Sequence, residues 1–131
     1  MEFREAIQSY FENVLSAADI SVAENILTPD IRCSLPHGEV SVGIDRILES
    51  VSYSSAAFPH RGIEMNHVIV DGNRAAAMYT LEMKHTGKYG NYEATGKIVK
   101  ITGVNVFQFD GDKICSIDVF FNPDLVTQQI S

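Results

Sequence analysis

The sequence predicts an α+β fold in which a curved antiparallel sheet wraps around N-terminal helices to form a cone with an internal pocket. Three observations carry this. Two Asp-Gly pairs, Asp71-Gly72 and Asp110-Gly111, each lie between long alternating apolar runs, the strongest short-range hairpin signal. Three helical segments all precede these strands. One long Gly- and Tyr-rich loop, residues 86–96, separates the two hairpins. Helices grouped first and strands grouped afterwards make a layer pair, with helices covering one face of the sheet.

The elements follow in order. Phe3, Ile7, Tyr10 and Val14 recur at helical spacing with Glu2, Arg4, Glu12 and Asn13 off that stripe, which predicts one amphipathic helix over residues 2–17. Ser21-Val22-Ala23-Glu24 has the form of a capping box opening a short second helix. Ile26 and Leu27 give that helix apolar contacts, and Thr28-Pro29-Asp30 stops it. A strand over 31–35 leads to the Pro36-His37-Gly38 turn and the apolar pair Val40 and Val42. Ile44, Ile47, Leu48 and Val51 mark a third helix that ends before Pro59. Asn122 and Pro123 read as a cap and a first helical residue, so the tail over 125–130 is a short helix or strap.

Alternation assigns the later strands their faces, because successive side chains point to opposite sides. Ala75, Ala77, Tyr79, Leu81, Met83 and His85 share one face. So do Val99, Ile101, Gly103, Asn105, Phe107 and Phe109 in the next strand, and Cys115, Ile117, Val119 and Phe121 in the last. These apolar faces are expected to be concave, against the helices. His85 and Asn105 are the two polar side chains that intrude on them.

Composition narrows the function. A chain of 131 residues makes one domain, 1–131, and its 45% hydrophobic and 21% charged content is that of a globular protein. A net charge of −7 without any Lys/Arg cluster argues against nucleic acid and anionic membranes as partners. The charged start is not a secretory signal, and no run approaches a membrane span, so a cytoplasmic location is expected. Cys33 and Cys115 lie in apolar strand-like runs and read as buried free thiols. There is no Gly-rich phosphate loop, zinc-type Cys pairing or nucleophile elbow, and no cofactor or metal is expected.

Several segments together resemble a known superfamily. They are Phe58-Pro59, Val70-Asp71-Gly72, Lys84-His85-Thr86-Gly87, Thr95-Gly96-Lys97 and the run from Gly103 to Phe109 leading into Asp112-Lys113-Ile114. Over nearly its whole length the chain resembles the SnoaL-like polyketide cyclases and ketosteroid isomerases of the nuclear transport factor 2-like, cystatin-like fold group. The resemblance implies a single SnoaL-like domain. It also implies a Tyr on the first helix, matched by Tyr10, and a His at a strand end before Thr-Gly, matched by His85. Two carboxylates of those families are missing: Leu35 stands before Pro36 where the isomerases carry Asp, and Asn105 stands before Phe107 where an Asp is usual.

Steroid-type isomerisation needs a carboxylate base, and Leu35 cannot be one. Aldol-type ring closure or another isomerisation remains open if His85 is the titrating group, since imidazole exchanges protons near neutral pH. Asn105 and Tyr10 then donate hydrogen bonds to an enolate oxygen. Leu35, Met83, Phe107 and Ile117 are expected to line the pocket, with His37 at its mouth. The bland readings are a surface His85, an Asn105 satisfying buried groups, and a core Tyr10. His60 and His67 read as loop and strand residues, and Asp118 as a solubility or dimer-contact residue. The expectation is a small apolar, carbonyl-bearing ligand and a homodimer. Whether the chain is a cofactor-independent enzyme or a non-catalytic binding module that lost its carboxylates is left open by the sequence.

Overall fold

The computed structural model describes residues 2–131, apart from the side chain of Arg61. Helix α1, Phe3–Ser9, runs directly into a π-helix, Tyr10–Leu15. The single helix expected over 2–17 is therefore two kinds of helix in line. The wider turn buries Tyr10, Phe11 and Val14 together, and π-turns of this kind recur at functional sites. The chain turns away three residues beyond it at Ala18, whose φ of 51° is the one positive value among the described non-glycine residues. There the amides of Ala18 and Asp19 donate back to the carbonyls of Val14 and Asn13, both at 2.9 Å.

Helix α2, Ile20–Ile26, is capped by Asp19, not by the expected Ser21 box. The Asp19 carboxylate accepts from the amides of Ser21 and Val22, because the left-handed Ala18 already turns the chain one step earlier. Strand β1, Leu27–Ser34, starts at once and passes through Pro29, with an irregularity between Leu27 and Arg32. Strand β2, Val40–Val42, helix α3, Ile44–Ala57, and strands β3, His60–Asp71, and β4, Arg74–Lys84, follow. Strands β5, Ile98–Asp110, and β6, Lys113–Phe120, precede helix α4, Asp124–Ile130. Asn122 does serve that last helix, accepting from the Asp124 amide at 3.1 Å.

The six strands form one curved, open sheet in the order β2-β1-β6-β5-β4-β3. All neighbours are antiparallel except β1 and β6, which run parallel, so the expected antiparallel sheet is mixed at one join. Both hairpins close on Asp, through the pairs Asp71–Arg74 and Asp110–Lys113. Gly72 and Gly111 take the first turn position at φ 61° and 64°, while Asn73 and Asp112 stay out of the left-handed region. That is the type II′ arrangement, whose twist matches the strands.

The inward faces of β4 and β5 are those the alternation predicts. In β6 they are not. Gln108 pairs with Ser116 but Phe109 with Ile114, so Cys115 is an extra, bulged residue that reverses the parity. Ile114 is fully buried and Cys115 only half-buried, against the expectation that Cys115 faces inward and both thiols are buried. Phe11 meets Tyr79 at 5.0 Å between ring centroids, and Phe3 stacks on Phe109 at 3.8 Å, tying the first helical segments to the concave face. Among the described residues no helix is long and apolar enough to cross a membrane.

Candidate functional site

The helices do not fill the cone. A cavity of about 270 Å³ lies between the π-helix, α3 and the concave faces of β4 and β5, with β1, the 35–37 turn, Phe121 and α4 completing its wall. Tyr10, Asn105, Leu35, His37 and Met83 all line it. Phe107 and Ile117 do not. Both are fully buried, packed in the core beneath the wall.

Its chemistry is set by neutral donors. Burial first, then the proximity of Cys33 and Tyr79, holds the Tyr10 phenol far above the ordinary tyrosine range. Tyr79 is pushed up to about 12, mainly by burial and then by Cys33. The Cys33 thiol is pushed up to about 11, by burial first and by Asp118 second. All three are therefore protonated at neutral pH and able to donate. Asn105, paired across the sheet with Ala77 and Val119, is 2% exposed, and its Oδ1 is buried without a hydrogen-bond partner. That oxygen can only accept, so a donor on a ligand would complete it, while the Nδ2 of the same amide is the atom able to donate. Gly103 makes room for this group of side chains, since a Cβ there would come within 2.7 Å of the Tyr79 hydroxyl.

His85 stands apart from the cavity. It is fully buried on the inward face, as alternation requires, but it is not on the cavity wall. Its ring stacks on Phe58, which meets Tyr89 edge-on, and those two aromatics are on the wall. The Thr95 amide donates to His85 Nδ1 at 3.2 Å, with the Thr95 hydroxyl 2.9 Å from the same nitrogen. A backbone amide can only donate, so Nδ1 carries no proton in this neutral ring and Nε2 does. Nε2 is buried without a partner. The main chain of His85 is paired with Lys97 and Gly96 on either side, so the residue closes the base of the 86–96 loop. Thr86 and Gly87 tie that loop to the end of α3 through the Ala57 carbonyl.

One wall residue was passed over in the sequence. His60, the first residue of β3, lines the cavity and is opposite Met83. Burial lowers its pKa, which favours neutral imidazole. His37, also on the wall, is instead turned to Glu39 at 3.1 Å in an exposed pair. Asp118 sits at the parallel join, where its carboxylate accepts from the Ser34 hydroxyl. Among the described wall residues there is no Asp, Glu, Lys or Arg, and no cluster of His, Cys, Asp and Glu among the described residues is placed to hold a metal ion.

The SnoaL-like polyketide cyclase family model matches residues 5–129. The chain belongs to that family. No curated protein matches it, but solved structures do. A candidate SnoaL-like polyketide cyclase of Jannaschia sp. CCS1 superposes with a TM-score of 0.88 at 17% identity, over 98% of this chain and 91% of that one. IdmH, a candidate polyketide cyclase of Streptomyces antibioticus, gives 0.86 at 15% identity and covers 98% of each chain. AclR of Streptomyces galilaeus, a candidate hydroxylase, gives 0.74 at 20% identity over 96% of each. At such identities the likeness establishes the fold alone, and a hydroxylase beside cyclases illustrates how little a fold says about chemistry.

Within the SnoaL-like family pattern, this chain has a cavity whose polar groups are phenols, a thiol, hydroxyls, an amide and two imidazoles. Tyr79 was legible as an inward-facing residue and Cys33 as a buried thiol, but neither carried a motif. The link that gives His60 its character is to Ser16, 44 residues away, which no local pattern reveals.

Proposed function

We propose that the chain binds a small apolar, carbonyl-bearing molecule in this cavity and carries out cofactor-independent acid/base chemistry on it, of the aldol-cyclisation or isomerisation type. The observation that carries the reading is that the protonated Tyr10 phenol and the buried Asn105 amide line the same cavity, whose wall carries no carboxylate, Lys or Arg among the described residues. Such donors hold a carbonyl oxygen and strengthen as it gains charge, which is the oxyanion-hole role. The cavity is near the small end of the ~300–1,000 Å³ range for ligand pockets, suiting one or two fused rings.

The test compares 2-tetralone with tetralin, the same bicycle without a carbonyl. The ketone should bind about three- to tenfold more tightly, the worth of one net hydrogen bond, and Tyr10→Phe should remove most of that margin. Equal affinity for the two compounds, or no saturable binding of either, would sink the reading. Binding without any turnover would favour the alternative of a non-catalytic module, a reading supported by the lack of a carboxylate on the described wall.

The proposal extends to a homodimer through the convex face. Ile69, Ala76 and Val106 align across three strands there, beside a second row of Met78, Val104 and Phe120. Ile69 is 68% exposed and Phe120 56%, an apolar stripe wider than isolated surface residues provide. Ile114 takes no part in this stripe, being fully buried in the core. Light scattering should return twice the 14.5 kDa chain mass at micromolar concentration; a monomer there would refute the dimer.

A further inference from the structure

We infer that His60 is the general base of this cavity, acting through Nε2 and held in the required tautomer by Ser16. This deepens the reading above and rests on it.

The argument is one of proton accounting. Ser16 Oγ lies 2.8 Å from the Phe11 carbonyl and 3.0 Å from His60 Nδ1. A hydroxyl has one proton, and a carbonyl can only accept, so that proton goes to Phe11. Toward His60 the hydroxyl oxygen must then accept, which places the imidazole proton on Nδ1. Nε2 keeps its lone pair, and among the described residues it has no partner. His85 is in the opposite state, with its lone pair on Nδ1 consumed by Thr95 and its Nε2 proton buried off the wall. Of the two histidines, one has a free basic nitrogen on a cavity-lining side chain and the other has none.

The surroundings keep that nitrogen basic but neutral. Burial alone lowers the His60 pKa. The titratable groups sharing its cavity are Tyr10 on the π-helix, Cys33 on β1, His37 in the turn after β1, Tyr79 on β4 and Tyr89 in the 86–96 loop. Met83 faces it on β4, and Lys84, the next residue, is exposed on the opposite side of the sheet.

The step balances within these groups. Nε2 takes a proton from the carbon beside the ligand carbonyl. The C–H electron pair becomes the C=C bond of the enolate, and the carbonyl π pair moves onto oxygen, where Tyr10 and Asn105 donate. The imidazolium keeps its Nδ1 proton on Ser16 and returns the Nε2 proton, to a different carbon in an isomerisation or to the new alkoxide in a ring closure.

The experiment follows deuterium entry at the activated carbon of 2-tetralone in D₂O. The native chain should accelerate exchange over buffer. His60→Gln should lose about 10²–10⁴-fold of rate, the usual worth of a general acid or base, while binding 2-tetralone within twofold, which also shows that the variant is folded. Because the base must be neutral, exchange should rise with pH and level off at or below the ordinary imidazole value of about 6.5. Long-range ¹H–¹⁵N spectra should show His60 in the Nδ1–H form and His85 in the Nε2–H form. Native exchange in a ligand-binding His60→Gln chain, or an Nε2–H signature for His60, would overturn the assignment. Ketone binding without exchange would overturn it while leaving the binding reading standing. Failure to bind the ketone would overturn both.

Discussion

Replacing Phe107 with alanine should cost the fold about 3–5 kcal/mol, the range for deleting a fully buried aromatic side chain. Phe107 has no exposed surface and sits on β5 between Ala75 and Ile117. Its ring meets Tyr10 at 5.8 Å and Phe11 at 6.0 Å, both edge-on, a geometry that adds to the value of simple burial. With Tyr79, it is one of the two aromatic residues of the sheet that support the π-helix among the described residues. Urea melts read this directly: with a slope of about 1–3 kcal/mol per molar, the midpoint should fall by a molar or more. A smaller loss, below about 1 kcal/mol, would mean that the helix finds its place without this ring. Phe107→Leu, which keeps most of the volume, should cost much less.

The second large effect is expected at His85. His85→Ala should destabilise the chain by about 3 kcal/mol, because it empties a fully buried site and strands the Thr95 amide. The loop over 86–96 should loosen with it, and amide exchange at Thr95 and Tyr89 should rise. Gly87 makes this loop intolerant of adjustment, since any Cβ there would collide with the Ala56 carbonyl. His85→Gln, able to accept from Thr95, should recover part of the loss. The sequence alone suggested a different outcome, a titrating His85 whose removal slows chemistry by orders of magnitude. The two are separated by the exchange rate of bound 2-tetralone in His85→Gln: a change within about threefold fits a loop anchor, whereas a loss of 10² or more would restore His85 to the chemistry.

Local pattern was enough for some of this architecture. The alternation in β4 and β5 placed every inward residue, Asn105 and His85 included, because a strand has only two faces and these two strands contain no extra residue. The turn glycines located both hairpins. What escaped was non-local. A one-residue bulge at Cys115 swaps the facing of Ile114 and Cys115 at the start of β6, and the sequence reads as plausibly with the bulge as without it. The parallel β1–β6 join pairs Cys33 with Ile117, 84 positions on, with no local signature. Inward direction also does not decide what a side chain reaches. His85 and Asn105 both point inward, yet Phe58 occupies the wall beside one and the cavity opens at the other. His60 looked unremarkable because its character depends on which proton a distant serine has already given away.

The π-helix has a consequence for how such a protein changes over generations. A π-turn is a helix with one residue too many, so losing a single codon within Tyr10–Leu15 would return the segment to ordinary α-helix. The residues on one side of the deletion would rotate by about 100° relative to those on the other. Tyr10 and Ser16 lie on opposite sides of the stretch, one on the cavity wall and one bound to His60. A three-nucleotide deletion would therefore re-aim one against the other, leaving the sheet and most of the core as they are. This chain has here a short mutational route to a new arrangement of the side chains around its cavity.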